Sequence, residues 1–133
     1  MVKKRRTLEA SESQVAMFRT KALQYQKAMN LAFDSELWDA AVSNAVHAVV
    51  LMANAVTGRH AGQYYADKDH GQAPEYLKEV MGKDASAAKE QMSQVLALKG
   101  LVEYEARGCT QKDASGTIKR VARFFIWAEK QLP

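Results

Sequence analysis

At 133 residues the chain has the length of one domain, enough to bury about two-thirds of its unfolded surface without help from a cofactor. With 47% hydrophobic and 26% charged residues it is not disordered, while seven Gly and two Pro are too few turn formers for an all-β fold. One Cys excludes an internal disulfide framework and any multi-cysteine zinc site, and the net charge of +4 permits nucleic-acid contact without demonstrating it.

The basic run Lys3-Lys4-Arg5-Arg6 opens the chain. It reads as a solvated, frayed end over residues 1–10, or as an arm that contacts phosphates. With no signal peptide ahead of it, the cytoplasm is the expected location. Residues 11–133 read as one helical domain. From Ser11 to about Asn30, Val15, Phe18, Ala22, Tyr25 and Met29 recur at helical spacing. Ser11 and Gln14 can form a capping box at its start.

Asp34 or Ser35 offers the next N-cap, and the second helix is expected to run from about Ser35 to Thr57, with Gly58 as its stop. Ala40–Gly58 carries no charge, but Ser43, Asn44, His47 and Asn54 interrupt it, so a central bundle helix is expected rather than a membrane span. Ser43, His47 and Asn54 share one strip, suited to a dimer seam, another helix, or a buried bonded network. Ser43 and His47 can meet at i, i+4, but no carboxylate stands near to complete a catalytic set.

A polar loop follows, holding Arg59, His60, Asp67, Asp69 and His70. Carboxylates and imidazoles are acceptable metal ligands, but the spacing fits no loop motif, and neither metal nor cofactor is expected. Tyr64-Tyr65 reads as a ligand-stacking pair or as an anchor of the loop onto the core. A short helix is expected around Pro74, closed by Gly82. Asp84 then caps a helix whose Ala88, Met92, Val95, Leu98 and Val102 face a core, ending near Arg107-Gly108. Cys109 stands before a helix N-terminus, which can lower a thiol's pKa.

Thr110 and Asp113 start the last helix, whose core face is Ile118, Val121, Phe125, Ala128 and Leu132. Gly116 costs this helix ~1 kcal/mol relative to Ala. Lys112, Lys119, Arg123 and Lys130 form one stripe, with Arg120 to its side and Ile126 and Trp127 flanking it. Cations beside an aromatic suit phosphate contact with base stacking, a protein interface, or an ordinary solvated face. The resulting fold class is all-α, an antiparallel up-and-down bundle of four long helices and one short one.

The order of these features resembles the HEPN family of prokaryotic helical proteins. Trp38 with Ala40-Ala41-Val42-Ser43-Asn44-Ala45 is similar to the family's second helix, and Asp69-His70-Gly71 to its Thr-His-x-Gly region. Leu98-Lys99 with Tyr104 resembles its Leu-Arg…Asp-Tyr, and Ala122, Phe124, Phe125 and Ala128 its last helix. Val46 and His47 stand where the family has an aromatic pair. None of His47, His60 and His70 has an Arg at the spacing of the family's ribonuclease motif, so no catalytic residue carries over. The resemblance implies a non-catalytic binding protein in a toxin–antitoxin, defence or stress setting, a homodimer contacting a protein, RNA or nucleotide and no membrane. Its rivals are a metal-independent ribonuclease rearranged around Arg59, His60 and His70, and a structural dimerisation module.

Overall fold

A computed structural model describes residues 5–133. The chain runs β1 (Thr7–Glu9), α1 (Glu12–Asp34), α2 (Trp38–Ala61), β2 (Gln63–Tyr65), α3 (Ala73–Met81), α4 (Ser86–Leu96), α5 (Lys99–Tyr104) and α6 (Gln111–Lys130). The protein is mostly helical, as its composition and periodicity predict.

The helix N-termini follow local chemistry where a side chain can cap. Ser11 Oγ accepts the Gln14 N–H while Gln14 Oε1 accepts the Ser11 N–H, closing the box that starts α1. Thr110 and Asp113 do the same for α6. Each cap contributes about 1 kcal/mol. Pro74 lies in the first turn of α3, and Gly82 closes that helix at φ 83°.

Other boundaries differ from expectation. Ser35 closes α1 rather than opening α2: its N–H bonds back to the Leu31 carbonyl. The turn passes through Glu36 at φ 60°, and α2 begins at Trp38 without a side-chain cap. Gly58 does not stop α2. The helix runs one turn further, to Gly62, whose φ of 69° is the left-handed geometry of a helix terminator. Gly58 is instead where the start of α1 packs tightly against α2. A Cβ there would lie 2.9 Å from Val15 Cγ2 and 3.1 Å from Ala10 Cβ. Asp84 sits in a short 3-10 turn, Lys83–Ala85, and makes no cap for α4. The long helix expected from Asp84 to near Arg107-Gly108 is two pieces, α4 and α5. After Ala97 the Leu98 N–H takes the Val95 carbonyl, an i→i−3 bond, and Gly100 follows at once in α5.

α2 occupies the centre, packed against α1, α3, α4, α5 and α6. It is long and apolar enough to cross a membrane by length and composition, and here most of its apolar stretch is covered by those neighbours. Met29, Val49, Met52, Met92, Val121 and Phe124 are fully buried in one cluster. Burial of each such side chain is worth about 1.5–3 kcal/mol.

β1 and β2 form a two-stranded antiparallel ribbon, with Thr7 opposite Tyr65 and Glu9 opposite Gln63. The sequence reading has no strand here and leaves residues 1–10 as a frayed end. That expectation fails for residues 5–10. Beyond the ribbon, the Arg6 N–H bonds Asp67 Oδ2 at 3.0 Å, and the Arg5 guanidinium pairs with Glu79. Lys3 and Lys4 lie outside the described residues.

Candidate nucleic-acid interface

α6 is amphipathic. Ala114, Thr117, Val121, Phe124, Phe125 and Ala128 are buried on one side. Lys112, Lys119, Arg123 and Lys130 are exposed on the other. The stripe covers 18 residue steps, about 27 Å of helix. Among the described residues, none of these four cations is in an ion pair with a carboxylate. Ile126 lies among them and is 62% exposed. Trp127 departs from its expected place beside the stripe. It is half-buried, packed against the core, with its ring 5.8 Å from that of Phe124. Phe124 and the rest of the apolar side draw the indole inward, so Ile126 is the apolar side chain left among the charges.

Arg120, at the side of the stripe, faces α4. Its Nε donates to Gln94 Oε1, and Gln94 Nε2 donates in turn to Glu90 Oε1 at 2.9 Å. Gly116, one turn before, has no side chain to obstruct the guanidinium: a Cβ there would stand 3.1 Å from Arg120 Nη1. A groove of about 700 Å³ opens between α4 and α6, lined by Gln94, Leu98, Lys112, Ser115, Lys119 and Arg120 among others. Asp113 is the acid at its rim. Its carboxylate accepts the Thr110 N–H at 2.9 Å and lies 3.6 Å from Arg107 Nη1. The Thr110 hydrogen bond, more than the arginine, holds its pKa below the usual carboxylate range.

The cations of this face are legible in the sequence, but Gln94 and Leu98 are missed because nothing local ties their segment to α6, and Ser115, on α6, is missed because a lone Ser carries no signal. The one available signal is Gly116, a helix-weakening residue amid good helix formers.

The residues expected in the polar loop do not gather into a site, and Arg59 and His60 stand in the last turn of α2 rather than in a loop. His60 Nε2 is 2.8 Å from the Gln131 carbonyl, at the far end of α6. Arg59 is exposed and lines a separate cleft of about 440 Å³ with Glu12, Val15, Arg19 and Leu132. Asp67 is used by the Arg6 N–H and Asp69 by the Gly71 N–H. Tyr65 is buried and its hydroxyl donates to the Asp69 carbonyl at 2.6 Å, while Tyr64 packs edge-on against Phe18. The tyrosine pair therefore anchors the loop. Among the described residues no group of three or more His, Cys, Asp or Glu is placed to hold a metal ion.

His70 turns back towards α2 and α5. Its Nδ1 is buried without a hydrogen-bond partner. Burial first, then the charges of Lys99 and His47, push its pKa down. His47 is exposed and lies 5.0 Å from the Tyr25 ring, and Ser43 and Asn54 are half-buried, so the strip is no sealed network. Ser43, His47, Lys99 and Glu103 border a cleft of about 10 Å³, too small for more than a water. His60 thus meets the end of α6 while His70 lies in the field of Lys99 and His47, so the two imidazoles are not brought to one site.

Cys109 lies in the loop before α6, as a loop cysteine, without the lowered pKa that a helix N-terminus can give. The thiol is buried beside Asp39, and burial, then that carboxylate, push its pKa up to about 11. A helix N-terminus does not outweigh those two effects here.

No protein-family model matches the sequence, and no curated protein matches it.

Proposed function

We propose that the protein is a non-catalytic binding protein that contacts nucleic acid through α6. The observation that carries this reading is the row Lys112, Lys119, Arg123 and Lys130, exposed and unpaired with acids among the described residues. A solvated face normally interleaves both signs of charge. A row of one sign over about 27 Å instead matches a polyanion, whose phosphates recur at a few ångströms and whose binding releases counterions. Ile126, amid the cations, adds an apolar contact for a sugar or base.

The HEPN resemblance supports the same reading. It implies an up-and-down helical bundle and, with the Arg…His motif absent, binding without cleavage. It also implies a homodimer. Met17 and Leu31, 53% and 58% exposed on α1, are apolar surface that a second copy would cover.

The test is fluorescence anisotropy with a labelled single-stranded RNA, titrated at several salt concentrations without metal. Four phosphate contacts predict a slope of log K against log salt near about −3, from roughly −0.7 per contact. Lys119→Glu with Arg123→Glu should abolish binding at moderate salt while leaving the melting curve in place. Binding untouched by the double reversal, or no binding at low salt, overturns the reading.

A further inference from the structure

The groove between α4 and α6 differs from the stripe it adjoins. The stripe spreads its cations along the helix, but the groove is lined by two of them, Lys112 and Lys119, together with Arg120 from beside the stripe. A phosphodiester carries one negative charge, whereas a phosphate monoester carries about −1.5 to −2 at neutral pH and offers three acceptor oxygens. Three convergent cations exceed what a diester needs and suit a monoester. The one acid on the rim, Asp113, has its charge engaged by Thr110 and Arg107.

Arg120 is also oriented. The chain Glu90–Gln94–Arg120 holds its Nε from the α4 side, and the missing side chain at Gly116 gives the guanidinium room to lie across α6. A guanidinium held by Nε alone keeps its terminal amino groups for a fork of parallel hydrogen bonds to two oxygens. Ser115 supplies a hydroxyl at the same groove, and Leu98 and Ala97 supply apolar wall. At about 700 Å³ the space is of the size that admits a nucleotide.

We propose that this groove receives the terminal phosphate monoester of a nucleic-acid strand, with Arg120 as the clamp and Lys112 and Lys119 neutralising the second charge. The proposal rests on the nucleic-acid reading of α6. A strand end is favoured over a free nucleotide because Lys119 belongs to both features. It lines the groove and is followed one turn on by Arg123, so a strand lying along α6 arrives with its end in the groove. Gln94 acts as a positioning residue for Arg120.

The experiment compares labelled single-stranded RNAs of one sequence, ending in hydroxyl or phosphate at the 5′ or the 3′ end. Wild-type protein should bind one phosphorylated end about ten-fold tighter, the effect of one added charge-assisted contact. Arg120→Gln should remove that preference while the affinity for the hydroxyl-ended strand changes little. Gln94→Leu, which keeps the charge and releases the guanidinium, should weaken the preference in the same direction. Arg123→Gln should lower affinity for both strands equally and leave the preference intact. Circular dichroism melts establish that each variant folds. Equal binding of both ends by wild-type protein overturns the groove proposal and leaves the stripe reading standing. Failure of every strand to bind overturns both. Adenosine monophosphate that binds through Arg120, while the strands show no end preference, overturns the strand end as the source of the phosphate.

Discussion

Asp39 Oδ1 accepts the backbone N–H of Cys109 at 2.8 Å, joining the first turn of α2 to the loop before α6 across 70 positions of chain. Gly108 is part of the same clasp, since a Cβ there would lie 3.1 Å from Asp39 Oδ2. The carboxylate thus fixes where the last helix starts, and after burial it is the main influence that keeps the neighbouring thiol protonated. Replacing Asp39 with Ala leaves a part-buried N–H without its partner and should cost about 1 kcal/mol in a urea melt. The thiol adds a pH dependence. Its folded pKa, about 11, lies above its ordinary value of 9.0. Its contribution is complete below pH 9 and is lost as the pH rises through the folded value. Alkylation of Cys109 should therefore be slow at pH 8 in the native protein and faster in Asp39→Asn, measured by mass spectrometry. Equal rates would show that the carboxylate does not govern the thiol.

Gly58 should resist replacement although it lies inside a helix. In an open helix, Gly→Ala gains about 1 kcal/mol. Here the new methyl group meets Val15 Cγ2 at 2.9 Å and Ala10 Cβ at 3.1 Å. Overpacking of this kind costs about 1–3 kcal/mol, so the clash outweighs the propensity gain. Gly58→Ala should lower the urea midpoint and Gly58→Leu should lower it further. A stabilised Gly58→Ala would mean that α1 and α2 have freedom to separate at this end.

His70 makes the fold sensitive to mild acid. Its folded pKa is pushed below the ordinary value of 6.5, by burial and then by Lys99 and His47, with Asp69 and Glu103 opposing. The neutral ring is the form the fold accepts. Its contribution is present above about pH 6.5 and is lost as the pH falls through the lower, folded value. Urea midpoints at pH 7.5 and 5.5 should differ more for the wild-type protein than for His70→Gln. Parallel pH profiles for the two proteins would assign the acid sensitivity elsewhere.

What the sequence discloses is what is local. The Ser11–Gln14 and Thr110–Asp113 boxes involve residues three apart and are legible before any fold is known. The apolar side of α6 is legible for the same reason. The ribbon is not: Thr7–Glu9 and Gln63–Tyr65 have three residues each, too few for an alternating pattern, and Thr7 meets Gln63 56 positions away. The end of α2 is a choice between two glycines, and contact with Val15 decides it. Trp127 is misjudged because angular position alone cannot tell whether Phe124 will draw a large ring inward. Likewise the cations of the candidate site stand in one helix and can be read there, while Gln94, which aims Arg120, stands in another.

The short ribbon changes the character of the first half of the chain. β1 precedes α1 and β2 follows α2, so their pairing ties together the two free ends of a helical hairpin whose other end is the turn at Glu36. Residues 7–65 form a closed ring, with the Ala10 N–H on the Gly62 carbonyl as a further fastening. A hairpin ordinarily loosens from its open end, turn by turn. A ring has no such end, so α1 and α2 are bound to open together, and amide hydrogens along both should exchange as a single cooperative unit.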